Sequence, residues 1–91
     1  MEALSFFLDS ARERLRLRGL TVGTTSGYLI AGSGDDPERI AEQGAEVDAG
    51  AFCQDVSTWR MKLGETFVVL TSYGGAMHPD LGTGVRRILG A

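Results

Sequence analysis

Covalent catalysis needs a nucleophile, a base and an orienting group, and this chain offers one histidine, His78, as the base. Hydroxyls cluster at Thr24, Thr25 and Ser26, and a Ser26–His78–Asp80 set can be drawn. Nothing in the spacing supports that set, and His78 directly before Pro79 reads as a loop residue leading into a helix. The carboxylate pair Asp35-Asp36 has a simpler role in opening the helix that begins at Pro37. One His and one Cys fall short of a zinc set. Cys53 therefore reads as a small, partly buried apolar side chain.

Glycine loops are the next place to look for chemistry. Gly32-Ser33-Gly34 stands before a helix, where anions bind. It lacks the Gly-Lys-Ser/Thr ending of a nucleotide-binding loop, and the two aspartates behind it repel phosphate. Gly82-Thr83-Gly84 has no strand leading into it. Both read as turns. No catalytic, cofactor-binding or metal-binding residue is assigned, and the chain is read as a non-enzyme.

What remains is surface suited to contact. Arg12, Arg14, Arg16 and Arg18 stand against one acid, Glu13. Asp35, Asp36, Glu38, Glu42, Glu46 and Asp48 crowd the middle of the chain, against Arg39. The second half carries Trp59-Arg60, Lys62 and Arg86-Arg87. With a net charge of −3, these arginines point to a protein partner and away from nucleic acid. Arg12, Arg16, Trp59, Arg60, Arg86 and Arg87 are the candidate partner surface.

These residues must be positioned by a small fold, because 91 residues make one domain, 1–91, with a modest core. Leu4, Phe7, Leu8, Ala11 and Leu15 repeat with helical spacing over residues 3–17, with Gly19 as the stop. Alternation over 20–25, a Ser26-Gly27 turn and the run 28–31 predict a β-hairpin. A middle helix is expected over about 37–51, capped by Asp36, with Gly44 inside it marking a close approach by another backbone. Residues 58–63 and 66–72 read as strands, the second apolar on both faces, and 79–89 as a last helix. No apolar run approaches the length of a membrane span, and the start Met1-Glu2-Ala3 does not read as a secretory leader. With a single cysteine, a cytoplasmic setting is expected.

The stretch Gly19-Leu20-Thr21-Val22-Gly23-Thr24-Thr25-Ser26-Gly27-Tyr28-Leu29-Ile30-Ala31-Gly32 resembles the first hairpin of the Roadblock family. The Gly-Asp-Asp loop and the Ala/Glu-rich helix continue the likeness, and Gly84-Val85-Arg86-Arg87-Ile88-Leu89 is similar to the last helix of small bacterial members. The resemblance implies an α+β, Roadblock- or profilin-like fold. That fold has an antiparallel four- to five-stranded sheet, with the first and last helices on one face and the middle helix on the other. A fifth strand would lie within Phe52–Val56. It also implies a dimer, with itself or a paralogue. On the middle helix that contact would use Ile40, Ala41, Gly44, Val47, Asp48 and Ala51. The implied function is a non-catalytic adaptor that binds a small Ras-like GTPase or a related regulatory complex, as in bacterial polarity or motility control. A scaffold subunit without a GTPase, and a small nucleotide-binding protein, are the alternatives.

Overall fold

The computed structural model describes residues 2–90. Helix α1 (Glu2–Leu15) leads into β1 (Gly19–Thr24) and β2 (Leu29–Gly34). Helix α2 (Pro37–Asp48) follows, then β3 (Val56–Leu63), β4 (Thr66–Tyr73) and α3 (Pro79–Leu89). The four strands form one antiparallel sheet in the order β2-β1-β4-β3. The fold is α+β, and the sheet has four strands. No fifth strand forms in Phe52–Val56: Asp55 takes a left-handed φ of 64° and the Val56 N–H bonds back to the Cys53 carbonyl, so the chain turns directly into β3.

The two faces of the sheet are unlike. Period-two alternation sends Leu20 and Val22 of β1, Met61 of β3, and Val68 and Leu70 of β4 to one face. There they join Leu4, Leu8 and Ala11 of α1 and Leu81 and Val85 of α3 in a single apolar core. The opposite face shows Gly19, Thr21, Gly23, Val69 and Thr71, and α2 crosses it from the β2 edge to the β3 edge. Glycine and threonine leave little side chain between helix and sheet. Ile40, Ala41 and Gly44 consequently sit directly on the strands, all buried.

Several boundaries differ from the sequence expectation. Helix α1 ends at Leu15, not at Gly19. Arg16 adopts φ 57°, the Leu17 N–H bonds to the Arg12 carbonyl, and the Arg16 N–H bonds to the Glu13 carbonyl, a complete Schellman closure. Helix α2 ends at Asp48, three residues early, by the same device: Gly50 has φ 111°, with Ala51 N–H to Glu46 carbonyl and Gly50 N–H to Val47 carbonyl. Its first residue is approached differently than expected, since Asp36 lies in the left-handed region and makes no side-chain cap.

The first hairpin closes through three residues, Thr25-Ser26-Gly27, not two. Gly27 N–H bonds to the Thr24 carbonyl, Gly27 is left-handed, and β2 begins at Leu29. Strand β2 runs on through Gly32-Ser33-Gly34, which reads as a loop by composition. Gly32 is needed there because a Cβ would come within 2.7 Å of Pro37 Cβ, where the chain enters α2.

Candidate interaction surface

The structure separates the residues that could have made a catalytic set. Ser26 lies at the hairpin tip beside α2, while His78 opens α3 on the other face. His78 acts as the N-cap of α3, its Nδ1 accepting the Asp80 N–H at 3.2 Å. Among the described residues, no three metal-ligating side chains converge.

The proposed contact set on α2 is mostly used inside the chain. Ile40 and Ala41 are buried against the sheet, and a Cβ on Gly44 would overlap the Thr71 side chain. The close approach that Gly44 implies is therefore made by β4 of the same chain. Val47 is half-buried, and Ala51 lies beyond the helix end. Asp48 has only 10% of its side chain exposed and accepts two bonds on Oδ2, from Arg60 Nε at 3.0 Å and Arg60 Nη2 at 2.8 Å. It ties the end of α2 to β3. What α2 shows to solvent is Glu38, Glu42 and Glu46, one turn apart, together with Arg39, which pairs with Asp36 at 3.5 Å. Beside the last two, the hairpin tip and α2 frame an open groove of about 500 Å³ lined by Thr25, Ser26, Tyr28 and Ala49.

No family model matches this chain, and no curated protein matches it. The geometry of the surface has to carry the functional reading.

The candidate partner residues divide into three groups. Arg12 is half-buried, and its Nε donates to Ser33 Oγ at 2.7 Å, pinning α1 to β2. Arg16 is exposed but serves the chain as the left-handed closing residue of α1. Arg87 stands near Phe7 and Arg14 on the outer side of α3. Trp59, Arg60 and Arg86 do come together around β3. Trp59 is 48% exposed and lies with Arg86 along a cleft between β3 and α3. Arg86 Nη1 donates to the Lys62 carbonyl at 3.2 Å. On the opposite side of the same strand, the Arg60 guanidinium sits 5.3 Å and the Lys62 ammonium 5.9 Å from the Phe67 ring centroid.

Lys62 and Phe67 are not among the residues expected at the partner surface. Phe67 looks like part of a fully buried apolar run, yet it is 41% exposed, because it stands one pair from the turn that closes the β3–β4 hairpin. The signal available was the two-residue turn Gly64-Glu65. It fixes Lys62 opposite Phe67, and so a cation over a ring.

Strand β3 is an outer strand of the sheet. The turn Gly64-Glu65 has Gly64 at φ 64°, as a tight hairpin needs. Leu63 and Thr66 flank it and exchange their backbone bonds, so every second residue back along β3 points its N–H and C=O away from β4. Those outward residues are Lys62, Arg60 and Thr58.

Proposed function

We propose that this chain is a non-catalytic, Roadblock-like adaptor of the cytoplasm, which holds a small Ras-like GTPase or another regulatory protein through the β3 edge. One observation supports this above the others. Trp59, Arg60 and Arg86 are brought to a strand whose outer backbone has no partner strand among the described residues. An uncovered edge with an exposed tryptophan and arginines has the composition of a protein contact. The lone cysteine suits a reducing compartment.

A dimer belongs to the same reading, and a paralogue suits it better than a second copy. With Ile40, Ala41 and Gly44 packed inward, a helix-to-helix contact falls on the exposed side of α2, where Glu38, Glu42 and Glu46 outnumber Arg39. Two copies of that side repel each other, whereas a paralogue with a basic middle helix is attracted.

The test is light scattering on the purified chain mixed with Ras-like GTPases of its own host, each loaded with GDP or GTP. We expect a stoichiometric complex that Trp59→Ala weakens at least about tenfold, the scale of losing one well-packed interface aromatic. A complex with a non-GTPase protein alone favours the scaffold reading. No complex with either class overturns the proposal.

A further inference from the structure

We infer that the β3 edge binds its partner by strand addition, accepting an extended acidic segment whose carboxylates meet Lys62 and Arg60. This rests on the adaptor reading for its partner and deepens it by naming the mode of contact. The backbone requirement is met first. Thr58 and Arg60 present outward N–H and C=O groups that no backbone group of the described residues engages, and β3 offers eight residues of ladder. An incoming strand satisfies those groups at the regular inter-strand spacing.

Charge then selects the occupant. Lys62 and Arg60 flank the edge on the α2 side and Arg86 on the α3 side, with Arg86 already reaching the outward Lys62 carbonyl. Among the described residues, the carboxylate that bonds to one of these cations is Asp48, held by Arg60 through one oxygen. Lys62 and Arg60 therefore stand on one face of the edge with a single carboxylate bound to them.

A second copy fits this edge poorly. Residues opposite each other in an antiparallel pair share a face, so β3 paired with itself must centre on one residue. Centred on Arg60, it sets Arg60 against Arg60; centred on Met61, it sets Arg60 against Lys62. Centred on Trp59, it still leaves the two Arg60 side chains as diagonal neighbours, and centred on Thr58 it separates them but pairs only residues 56–60. Like charges so placed destabilise a strand pair. Cations on an edge discourage self-pairing, and the same cations attract a strand of opposite charge. Trp59, on the α3 side, supplies the apolar half of an alternating acidic–apolar segment.

The experiment uses the whole chain and an eight-residue peptide, blocked at both ends, alternating glutamate with valine. Calorimetry reports binding, and backbone amide NMR reports where it occurs. Saturable binding is expected, with slowed hydrogen exchange at Thr58, Arg60 and Lys62. Replacing every glutamate by glutamine, or making Lys62→Glu, should each weaken it by about tenfold or more. Thr58→Pro removes one outward N–H without touching the β4 ladder and should abolish binding, while Arg14→Glu on α1 should not change it. Absence of binding at millimolar peptide overturns the inference, as does equal binding of the glutamine peptide. Protection of the same amides that grows with protein concentration alone overturns it in favour of a second copy. If a GTPase or other protein binds through Trp59 yet ignores Thr58→Pro, strand addition fails and the adaptor reading stands. If the peptide binds but no regulatory protein does, the reverse holds.

Discussion

Gly44 and Thr71 form the tightest contact between α2 and the sheet, and its sign can be argued from single atoms. Alanine in a helix is about 1 kcal/mol better than glycine, but a Cβ at Gly44 collides with Thr71 Oγ1 and comes within 3.0 Å of its Cβ and Cγ2. Gly44→Ala should therefore destabilise by about 2 kcal/mol, the scale of overpacking. Gly44→Ala with Thr71→Ala should recover a good part of that loss. Chemical denaturation of the four members of this cycle measures the coupling. The helix sequence announces that something comes close to Gly44; only the register, Thr21 opposite Thr71, says that it is β4. Thr21 and Thr71 are both buried with hydroxyl oxygens that make no hydrogen bond among the described groups. Thr21→Val keeps the shape and removes an unpaired hydroxyl, so it should stabilise by about 1 kcal/mol. Arg16 supplies the opposite kind of case. A side chain held at φ 57° costs on the order of 1 kcal/mol where glycine costs almost nothing, so Arg16→Gly should raise the unfolding midpoint. Gly50 takes the same position in the α2 closure, where its left-handed φ carries no side-chain strain.

Elements were legible wherever pattern and chemistry agreed. Both long strands of the second hairpin, the amphipathic stripe of α1 and the Pro37 start of α2 follow from periodicity and capping rules, and the structure contains them. The misplacements share one cause, which is backbone geometry set by tertiary contact. Gly32-Ser33-Gly34 has loop composition but is held as strand by pairing to Gly19, Leu20 and Thr21. Leu17 could not signal that it closes α1, because the closing residue is an arginine. The site was half-readable on the same terms. Trp59-Arg60 and Arg86 could be singled out by residue type, but Lys62 and Phe67 gain meaning only from the ladder. Of the residues expected at a dimer contact on α2, Ile40, Ala41 and Gly44 are buried against the sheet, because helical spacing names a buried face without naming what buries it.

The elements differ in stability as well. Strands β1 and β4 are the inner pair, covered on both faces, while α2 lies outside the main apolar core. Native-state hydrogen exchange should be slowest in β1 and β4 and measurably faster in α2. Asp48→Ala cuts the link to Arg60 and should speed exchange in the last turn of α2 while costing about 1 kcal/mol or less globally.

At the scale of the whole molecule, charge is sorted by position. Acids line the outer ridge of α2, and cations gather at the β3 edge, although the net charge is only −3. The two surfaces must therefore respond oppositely to salt. Ions screen repulsion between two α2 ridges, so any pairing through Glu38, Glu42 and Glu46 strengthens as salt is added. Ions equally screen attraction between the β3 edge and an acidic strand, so that contact weakens. Sedimentation of the chain alone and titration with the glutamate–valine peptide, both across about 20 to 500 mM salt, a span over which the screening length falls several-fold, read the two effects separately. The ridge makes one further demand. Glu42 stands four residues from both Glu38 and Glu46, a like-charge spacing that costs a helix a few tenths of a kcal/mol per pair. Glu42→Lys turns both repulsions into attractions, so it should stabilise the monomer slightly and promote self-association at low salt, while leaving peptide binding at β3 unchanged. Loss of peptide binding in that variant would mean that the two faces act as one surface.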